Sequence, residues 1–363
     1  MIPWPKRFFD FFARHQSLAK SLTIPSAPQA SQTIHRPRPE PISAPSNTPK
    51  VRVVFMGTPS LSAIILNALL DKKYNIVGVV TQPDKGVGRK NEIQESAVKI
   101  LATERNLPLF QPEKLDPEAI ATLKNWKPDL MVVAAYGKIL PTALLALPGF
   151  GCVNVHTSLL PKWRGASPIQ NAILAGETET GVTIMLMDRG MDTGDILTQS
   201  TIAIDPDETT PVLTEKLTTL ATELLLETLP QWVKRRLTPQ KQDSSVATLC
   251  QLIEREDGRI LWTDEAESIY NRYRALTPWP GVFTYYNRDD NLLRFKIITL
   301  SCQKMNASTV RPLGAVFEIG EKIGVQTTRG IIFLEVVQLE GKTPVSIQDF
   351  IRGDASFVGT LLQ

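Results

Sequence analysis

The sequence is poor in the side chains that build metal centres and disulfide frameworks. Of its 363 residues, three are cysteine and three are histidine. Cys152, Cys250 and Cys302 are far apart, so they match no zinc-site spacing and no disulfide pattern, which is typical of a reducing compartment. No apolar run reaches the roughly 18 residues that a transmembrane helix needs. These absences argue against a disulfide-rich secreted domain, and they predict no metal cofactor and no membrane partner.

The glycine-rich motifs of nucleotide-binding sites are also missing. The apolar run at 51–56 is followed by GTPS at 57–60, in which a proline stands where the GxGxxG motif has its close-approach glycine. No Walker A motif is present in the sequence. A nicotinamide oxidoreductase is therefore a weak alternative.

The excess positive charge is concentrated at the N-terminus. The formal net charge of +3 comes from 40 basic and 37 acidic residues. Residues 1–49 hold six of the basic and two of the acidic side chains, which leaves 34 and 35 for the remainder. Bulk charge thus gives no argument for a nucleic-acid partner, and any such partner must be recognised by a local patch.

Residues 1–49 have the composition of a disordered or targeting extension. Residues 4–20 mix phenylalanines with basic side chains, and residues 25–49 are rich in Pro, Ser, Ala and Gln with too little apolar content to fold. A transit peptide has this acid-poor, basic composition, and so does an unstructured tail on a bacterial protein. The localisation is therefore either the bacterial cytoplasm or, for a transit peptide, the matrix of a mitochondrion or plastid.

Between residues 50 and 235, strand-like runs alternate with helical patterns. This alternation predicts an α/β fold, a Rossmann-like, doubly wound and mostly parallel sheet. Its ligands are expected at the carboxyl ends of the strands. The strand-like runs lie at 51–56, 76–81 and 129–135, and the helical patterns lie at 93–104 and 116–125.

A polar linker at 236–251 separates this domain from a second one at 252–363. A long amphipathic helix at 211–229 precedes the linker. Short strand-like runs with turn signals follow it, which predicts a small OB-like β-barrel. These runs lie at 282–286, 292–300, 313–319, 322–328 and 330–338.

The stretch 151–199 carries the residues best suited to chemistry. Asn154 and His156 are two apart in a short strand-like run, so both side chains are expected on one face. His156 is the one histidine outside the N-terminal extension. A returning strand at 182–187 leads into a loop with three carboxylates at 188–195. An amide donor, an imidazole and a carboxylate are the groups that move a proton and stabilise an oxyanion.

A second loop, at 81–90, is basic. It contains two glycines and a proline, together with Lys85, Arg89 and Lys90. A flexible basic loop near a catalytic crevice can hold phosphate or nucleic-acid backbone, whereas an ordinary solvated surface loop has the same composition. The sequence pattern leaves both interpretations open.

Taken together, the motifs after residue 50 resemble those of the methionyl-tRNA formyltransferases, which are folate-dependent formyltransferases. The pattern Asn-x-His-x-Ser-Leu-Leu-Pro with a later Asp is shared by the wider family, and the basic loop and the PWPG segment point to the tRNA enzymes. The motifs are FMGTP at 55–59, TQPD at 81–84, AYGKILP at 135–141, NVHTSLLPKWRGASPIQ at 154–170, MDRGMDTGDIL at 187–197, ALTPWPG at 275–281 and EGKTPVSIQDFIRG at 340–353.

The resemblance implies a reaction and a role for each catalytic residue. The donor is 10-formyltetrahydrofolate, a co-substrate, and the acceptor is the α-amino group of methionine on initiator tRNA. Asn154 is expected to donate its amide to the oxyanion, and His156 to supply charge and a proton. Asp192 is expected to orient the imidazole and help to relay the proton that leaves the amine. The other two carboxylates of the loop are expected to cap the turn.

The resemblance also implies binding segments. Folate contacts are expected from the backbone of Ser158, Leu159, Leu160 and Pro161 together with Tyr136 and Gly137. The loop with Lys85, Arg89 and Lys90 corresponds to a tRNA-contacting insertion, although the run of lysines usual in the family is replaced here by Lys90-Asn91-Glu92. The second domain is expected to contact tRNA, with candidate phosphate ligands Arg272, Arg274, Arg288, Arg294 and Lys296, and the protein is expected to be a monomer.

Two alternatives remain beside the hypothesis of a methionyl-tRNA formyltransferase. One is a folate-dependent formyltransferase that acts on another amine, such as a nucleotide amino sugar or glycinamide ribonucleotide. The other is a non-catalytic protein that binds tRNA or folate, against which the intact Asn154, His156 and Asp192 argue. A formylation assay discriminates between these alternatives.

Overall fold

The computed structural model describes residues 51–87, 92–304 and 311–363. The extension at 1–49, and Arg89 and Lys90 of the basic loop, lie outside the described residues. Within the described part, no helix has both the length and the apolar character to cross a bilayer.

Residues 51–233 form an α/β domain. Its strands are β1 (Arg52–Gly57), β2 (Asn75–Val80), β3 (Lys85–Val87), β4 (Glu92–Gln94), β5 (Leu109–Phe110), β6 (Leu130–Ala134), β7 (Cys152–His156), β8 (Arg164–Gly165), β9 (Glu179–Leu186) and β10 (Ile196–Ala203). Its helices are α1 (Ser60–Asp71), α2 (Ala97–Glu104), α3 (Pro117–Asn125), α4 (Thr142–Leu145), α5 (Pro168–Leu174) and α6 (Thr210–Val233).

Seven of these strands form one sheet in the order β10-β9-β7-β6-β1-β2-β5. The pairs from β7 to β5 are parallel, and β9 and β10 add an antiparallel edge. Residues of β1 alternate between two cores, because Val53 and Phe55 pack with α1 and α6 while Val54 and Met56 pack with α3 and α4. The sheet is therefore covered by helices on both faces, and the predicted doubly wound architecture is confirmed.

One predicted helix begins later than the sequence pattern suggested. A helix was expected over 93–104, but β4 pairs with β3 as a short antiparallel hairpin. The helix starts only after Ser96, whose side chain accepts a hydrogen bond from the Lys99 amide as an N-cap. The hairpin forms the base of the basic loop.

The remaining elements belong to the linker and the second domain. Strand β11 (Leu249–Cys250) lies in the linker. The second domain comprises α7 (Ala266–Leu276), β12 (Val282–Arg288), β13 (Asn291–Gln303), β14 (Val316–Ile319), β15 (Lys322–Gln326), β16 (Ile331–Leu339), β17 (Val345–Ser346) and α8 (Ile347–Gly353). Short 3₁₀ turns lie at Ser244–Val246, Arg255–Gly258 and Ala355–Phe357.

An antiparallel sheet in the order β12-β13-β16-β15-β14 is closed by the segment 359–363. On one side the Leu362 amide donates to the Gly314 carbonyl at 2.9 Å, next to β14. On the other side Tyr285 of β12 and Gln363 exchange two backbone hydrogen bonds of 3.0 and 2.9 Å. Because the segment pairs with both edges, the sheet closes into the small barrel that the sequence predicted.

Helix α7 packs the barrel domain against the α/β domain. Its last residues, Ala275 and Leu276, are buried in the core around α6. The Thr210 hydroxyl donates to the Ala275 carbonyl at 2.6 Å, and the buried Arg274 donates to the Glu208 carbonyl at 2.9 Å. The two domains therefore share a core and a polar contact.

Candidate active site

The carboxyl ends of three neighbouring strands form one edge of the sheet. In parallel register, Gly57 at the end of β1 lies beside Ala134 of β6, and Ala134 lies beside Val155 of β7. The loops that follow these strands therefore adjoin. Tyr136, in the loop after β6, connects to the loops after β1 and β2, because its backbone oxygen accepts hydrogen bonds from the Thr58 hydroxyl at 3.2 Å and from Gln82 Nε2 at 2.8 Å. This edge is where the switch-point rule places a ligand.

Asn154 and His156 lie on the same face of β7, as their spacing predicted. Val153 and Val155 point into the core on the opposite face. Both polar side chains are buried, with 9% and 5% of their surface exposed. A buried polar group requires a partner, and here one side chain of a neighbouring loop contacts both residues.

Asp192 brings the loop after β9 to these two side chains. Its Oδ1 lies 3.4 Å from Asn154 Nδ2, and its Oδ2 lies 3.6 Å from His156 Nδ1. The Gly165 amide also donates to Oδ2 at 2.9 Å. One carboxylate thus reaches the amide and the imidazole, and the structure brings together the three residues that were predicted to act together. Their roles in catalysis stay predictions.

The other ring nitrogen of His156 faces the backbone oxygen of Trp163 at 2.9 Å. A carbonyl oxygen can only accept a hydrogen bond, so Nε2 carries the proton in this contact. A ring protonated on both nitrogens has an oxygen opposite each N–H group. The partner of Nε2 could not be predicted, because a backbone oxygen leaves no mark on the sequence.

The two other aspartates of the loop contribute to its turn, Asp188 through its carboxylate and Asp195 through its backbone. Asp188 Oδ1 accepts hydrogen bonds from the Gly190 amide at 3.0 Å and the Thr193 hydroxyl at 2.6 Å. Asp195 joins the loop to β9 through its backbone oxygen, which accepts from the Leu186 amide at 2.8 Å. Asp192 is thus the carboxylate of this loop that contacts Asn154 and His156.

The two buried cysteines, Cys152 in β7 and Cys250 in β11, are poorly suited to act as nucleophiles. Burial raises the pKa of the Cys152 thiol to about 12. Burial also raises the pKa of the Cys250 thiol, whose sulfur lies 3.4 Å from the Trp163 backbone oxygen. Since the thiolate is the reactive form, both side chains are inert at neutral pH.

The predicted folate segment, Ser158 to Pro161, is anchored within the protein. Thr183 of β9 donates its hydroxyl to the Ser158 carbonyl at 2.7 Å and accepts from the Leu160 amide at 3.1 Å. The Leu160 carbonyl accepts from the Gln199 amide at 2.8 Å. Leu159 and Pro161 line a cavity of about 290 Å³, beside Trp163 and Thr180. Folate contact by this segment stays a prediction, and these two side chains are its available surface.

Tyr136 and Gly137 contribute to this sheet edge in different ways. The Tyr136 ring is buried beside Met56 and Leu140, and its burial raises the pKa of the hydroxyl to about 12, so the phenol stays neutral. Gly137 has φ of +79°, and a Cβ there would lie 2.6 Å from Gln82 Nε2. At this edge Tyr136 contributes its backbone, and Gly137 permits a turn that a side chain would block.

The base of the basic loop is fixed to the α/β domain. Asp84 accepts hydrogen bonds from Lys99 Nζ at 2.5 Å and from Gln111 Nε2 at 2.9 Å. Lys85 Nζ donates to Gln82 Oε1 at 3.1 Å, and both residues line a cavity of about 270 Å³ with Lys138. Desolvation and the charge of Lys85 lower the pKa of Lys138. Two cations therefore lie close together beside the sheet edge.

The described residues contain no group of three or more His, Cys, Asp or Glu side chains arranged to hold a metal ion.

Comparison with known proteins identifies the class to which this fold and site belong. Residues 50–229 match the formyl transferase family, and residues 252–355 match the formyl transferase C-terminal domain. The chain belongs to the formyl transferase family.

Within that family the chain is similar to proteins named methionyl-tRNA formyltransferase. It is 40% identical to the one from Geotalea daltonii over 304 residues, which cover 84% of this chain and 95% of that one. It is 44% identical to the one from Caldicellulosiruptor saccharolyticus over 305 residues, which cover 83% and 96%.

Solved structures of more distant proteins share the fold. The N-formyltransferase of Helicobacter canadensis, in complex with folinic acid and dTDP-3-aminofucose, has a TM-score of 0.59 and 18% identity, covering 78% of this chain and 98% of that chain. HypX of Aquifex aeolicus, in complex with tetrahydrofolic acid, has a TM-score of 0.55 and 16% identity, covering 85% and 48%.

Proposed function

We propose that the protein transfers the formyl group of 10-formyltetrahydrofolate to the α-amino group of methionyl initiator tRNA. The observation that carries the proposal is the meeting of Asn154, His156 and Asp192 at one point beside the sheet edge. The near-full-length similarity to methionyl-tRNA formyltransferases supports the choice of acceptor.

The chemistry follows from the groups present. The neutral amine attacks the formyl carbon, a C–N bond forms, and the carbonyl oxygen becomes an oxyanion. Asn154 Nδ2 has two hydrogens: one faces Asp192, and we infer that the other donates to the oxyanion. The bond from the formyl carbon to N10 of the folate then breaks, and N10 takes up a proton. The products are the formylated amine and tetrahydrofolate.

His156 and Asp192 move the proton that this reaction displaces. The amine loses one proton as the new bond forms, and N10 gains one as it leaves. Asp192 Oδ2 lies 3.6 Å from Nδ1 of the imidazole, where it can orient the ring during transfer. The contact between His156 Nε2 and the Trp163 backbone oxygen fixes the orientation of the imidazole ring.

We infer that two basic surfaces contact the tRNA. The first is the loop with Lys85, Arg89 and Lys90, whose base is held by Asp84. The second is chosen by elimination among the five candidate phosphate ligands of the barrel domain. Arg274 is buried, Arg272 donates to the Asp257 carbonyl, and Arg288 lies 3.2 Å from Asp354.

The two remaining candidates, Arg294 and Lys296, lie on β13. Arg294 lies 3.4 Å above the Phe283 ring centroid, and Arg259 lies 5.3 Å above that of Tyr285. Desolvation and the charges of Arg294 and Arg255 lower the pKa of Lys296, so these cations are close together. A cluster of cations over aromatic rings suits a nucleic-acid backbone.

Salt dependence of tRNA binding tests both surfaces. Each lost phosphate contact reduces the slope of log K against log salt by about 1. Arg89→Ala is expected to reduce it by about 1, and the double variant Arg259→Ala with Lys296→Ala by about 2, with folate affinity unchanged. Slopes equal to that of the wild type would contradict the assignment.

The function itself is tested by a formylation assay with purified protein. The acceptors are charged initiator tRNA, charged elongator tRNA and a dTDP-3-amino sugar, each with 10-formyltetrahydrofolate. We expect formylation of the initiator tRNA at a rate far above that of the other two. Formylation of the amino sugar without formylation of tRNA would overturn the proposal in favour of a sugar formyltransferase.

We further propose that the protein acts as a monomer, in the bacterial cytoplasm or, if residues 1–49 are a transit peptide, in an organelle matrix. Light scattering of the purified protein tests the first statement. Sequencing of the mature N-terminus in its host cell tests the second, since a transit peptide is removed on import.

A further inference from the structure

The polar linker is hydrogen-bonded to the loops of the active site rather than hanging free between the domains. Gln240 and Ile196 exchange two backbone hydrogen bonds of 2.8 and 2.9 Å. At its other end, β11 pairs with β8, and the Thr248 hydroxyl accepts from the Trp163 amide at 2.8 Å. These two attachments bring the middle of the linker over the Asp192 loop.

Gln242 occupies that middle position and uses both ends of its side-chain amide. Its Nε2 donates to the backbone oxygens of Asp192 at 2.8 Å and Gly194 at 2.7 Å. Its Oε1 accepts from Arg164 Nε at 3.0 Å and Nη2 at 2.8 Å. One side chain thus joins the loop that carries the carboxylate to the segment that surrounds the imidazole.

Arg164 extends this connection to His156. It is buried, with 6% of its surface exposed. Its neighbour on one side, Trp163, supplies the oxygen that faces His156 Nε2, and its neighbour on the other side, Gly165, donates its amide to Asp192 Oδ2. Because the guanidinium is fixed by Gln242, the backbone on both sides of Arg164 is fixed as well.

Asp192 needs such support because of its backbone conformation. Its φ is +54°, in the left-handed region, which is strained for a residue that carries a side chain. The hydrogen bond from Gln242 reaches the carbonyl of this same residue. Loss of that bond would let the peptide rotate, and the carboxylate would move away from Asn154 and His156.

We propose that Gln242 is a positioning residue for formyl transfer, which holds the Asp192 carboxylate against Asn154 and His156 from the interdomain linker. The expected effect on kcat rests on the proposed function. The expected effect on the conformation of the Asp192 loop rests on the hydrogen bonds alone. The linker is then part of the active site as well as a connection between the domains.

Two variants of Gln242 separate its contacts, and a third variant, at Gln240, serves as the control. Gln242→Ala removes every contact. Gln242→Glu keeps an acceptor for Arg164 but cannot donate to the two loop carbonyls, and its ion pair with Arg164 favours folding. Gln240→Ala changes an exposed residue of the same type in the same linker that pairs through its backbone.

The kinetic test uses kcat and the KM values for both substrates. Both Gln242 variants are expected to lose about 10- to 100-fold in kcat, since small displacements of catalytic groups cost that much. KM values should stay within about twofold, and Gln240→Ala should match the wild type. In an Asp192→Asn background, Gln242→Ala should cost less than about threefold, because it acts through the carboxylate. Additive effects would overturn the positioning role.

A measurement without substrate keeps the inference testable apart from the reaction. Amide hydrogen exchange in residues 188–195 is expected to become at least about tenfold faster in both Gln242 variants, and to be unchanged in Gln240→Ala. Unchanged exchange in the Gln242→Glu variant would overturn the proposal. If the wild type forms no formylated tRNA but the loop exchange responds as expected, the proposed function fails while the structural role of Gln242 stands.

Discussion

Asp192 is the residue on which the three-part site depends. It adopts a backbone conformation that aspartate tolerates better than most residues, and it contacts two side chains of β7 through its two oxygens. A charge at this place acts on the imidazole and the amide together.

We expect Asp192→Asn to lower kcat by about 10²- to 10⁴-fold, the range for loss of a group that assists proton transfer. The amide has the same shape, so the variant should fold, but it cannot offset the charge of the ring. Steady-state kinetics with circular dichroism checks this. Asp195→Asn is the matched control in the same loop. A variant at Asp192 that formylates at the wild-type rate would remove the carboxylate from the mechanism.

At this scale the sequence predicted the strand residues better than their partners. The two-residue spacing placed Asn154 and His156 on one face, and a pattern of period two is a local property. Gln242 lies 50 residues beyond Asp192, and the Trp163 contact uses a backbone oxygen. Neither partner carries a local signal, because both depend on how distant loops pack.

Among the elements, the short pairing of β8 with β11 is tightly constrained. Gly165 has φ of +125°, and a Cβ there would lie 2.2 Å from the Cys250 carbonyl oxygen. The residue thus needs glycine for its conformation and for the close approach of the second strand.

Gly165→Ala is expected to destabilise the protein by about 1–3 kcal/mol through backbone strain. It should also lower kcat, since the Gly165 amide donates to Asp192 Oδ2. Urea unfolding gives the first quantity and steady-state kinetics the second. Gly149→Ala is the control, because a Cβ at that exposed glycine meets nothing within 4 Å. Equal stability of the two variants would show that the close approach is absent in solution.

The central strands β1, β2 and β6 were predictable because they are apolar runs that are mostly buried on both faces. The hairpin of β3 and β4 was not, since Glu92–Gln94 is a three-residue strand with exposed side chains. Its pairing displaced the start of the predicted helix at 93 to Ala97. Short strands that bury little apolar surface leave little periodicity to detect.

At the scale of the whole molecule, the contact between the domains depends on a buried arginine. Arg274 was considered as a phosphate ligand from sequence, yet it is 4% exposed and donates to the Glu208 carbonyl and to Asn271 Oδ1. It is therefore unavailable to tRNA, and its charge serves the interface.

We expect Arg274→Met to lower the free energy of unfolding by about 2–4 kcal/mol, because it leaves buried acceptors without donors. Calorimetry should show the loss and a separation of the two domain transitions. Arg272→Met, two residues earlier on α7, is the control, since Arg272 is partly exposed and donates to the Asp257 carbonyl. A wild-type thermogram for Arg274→Met would contradict the structural assignment.

Five strands of the barrel domain followed from the alternating runs, but the two-residue strand β17 and the closure of the sheet did not. Segment 359–363 pairs with both edges of the sheet and has no strand pattern of its own. Which chain segment fills the gap between two sheet edges is decided by the three-dimensional path, not by local propensity.

The most direct test of the account is the single-turnover rate of formyl transfer to methionyl initiator tRNA by His156→Ala. His156 contacts Asp192 through one ring nitrogen and the Trp163 oxygen through the other. We predict a rate about 10²- to 10⁴-fold below wild type, with Kd values for folate and tRNA within about twofold. A rate within about threefold of wild type, at equal occupancy of both substrates, would contradict the claim that this imidazole takes part in the transfer.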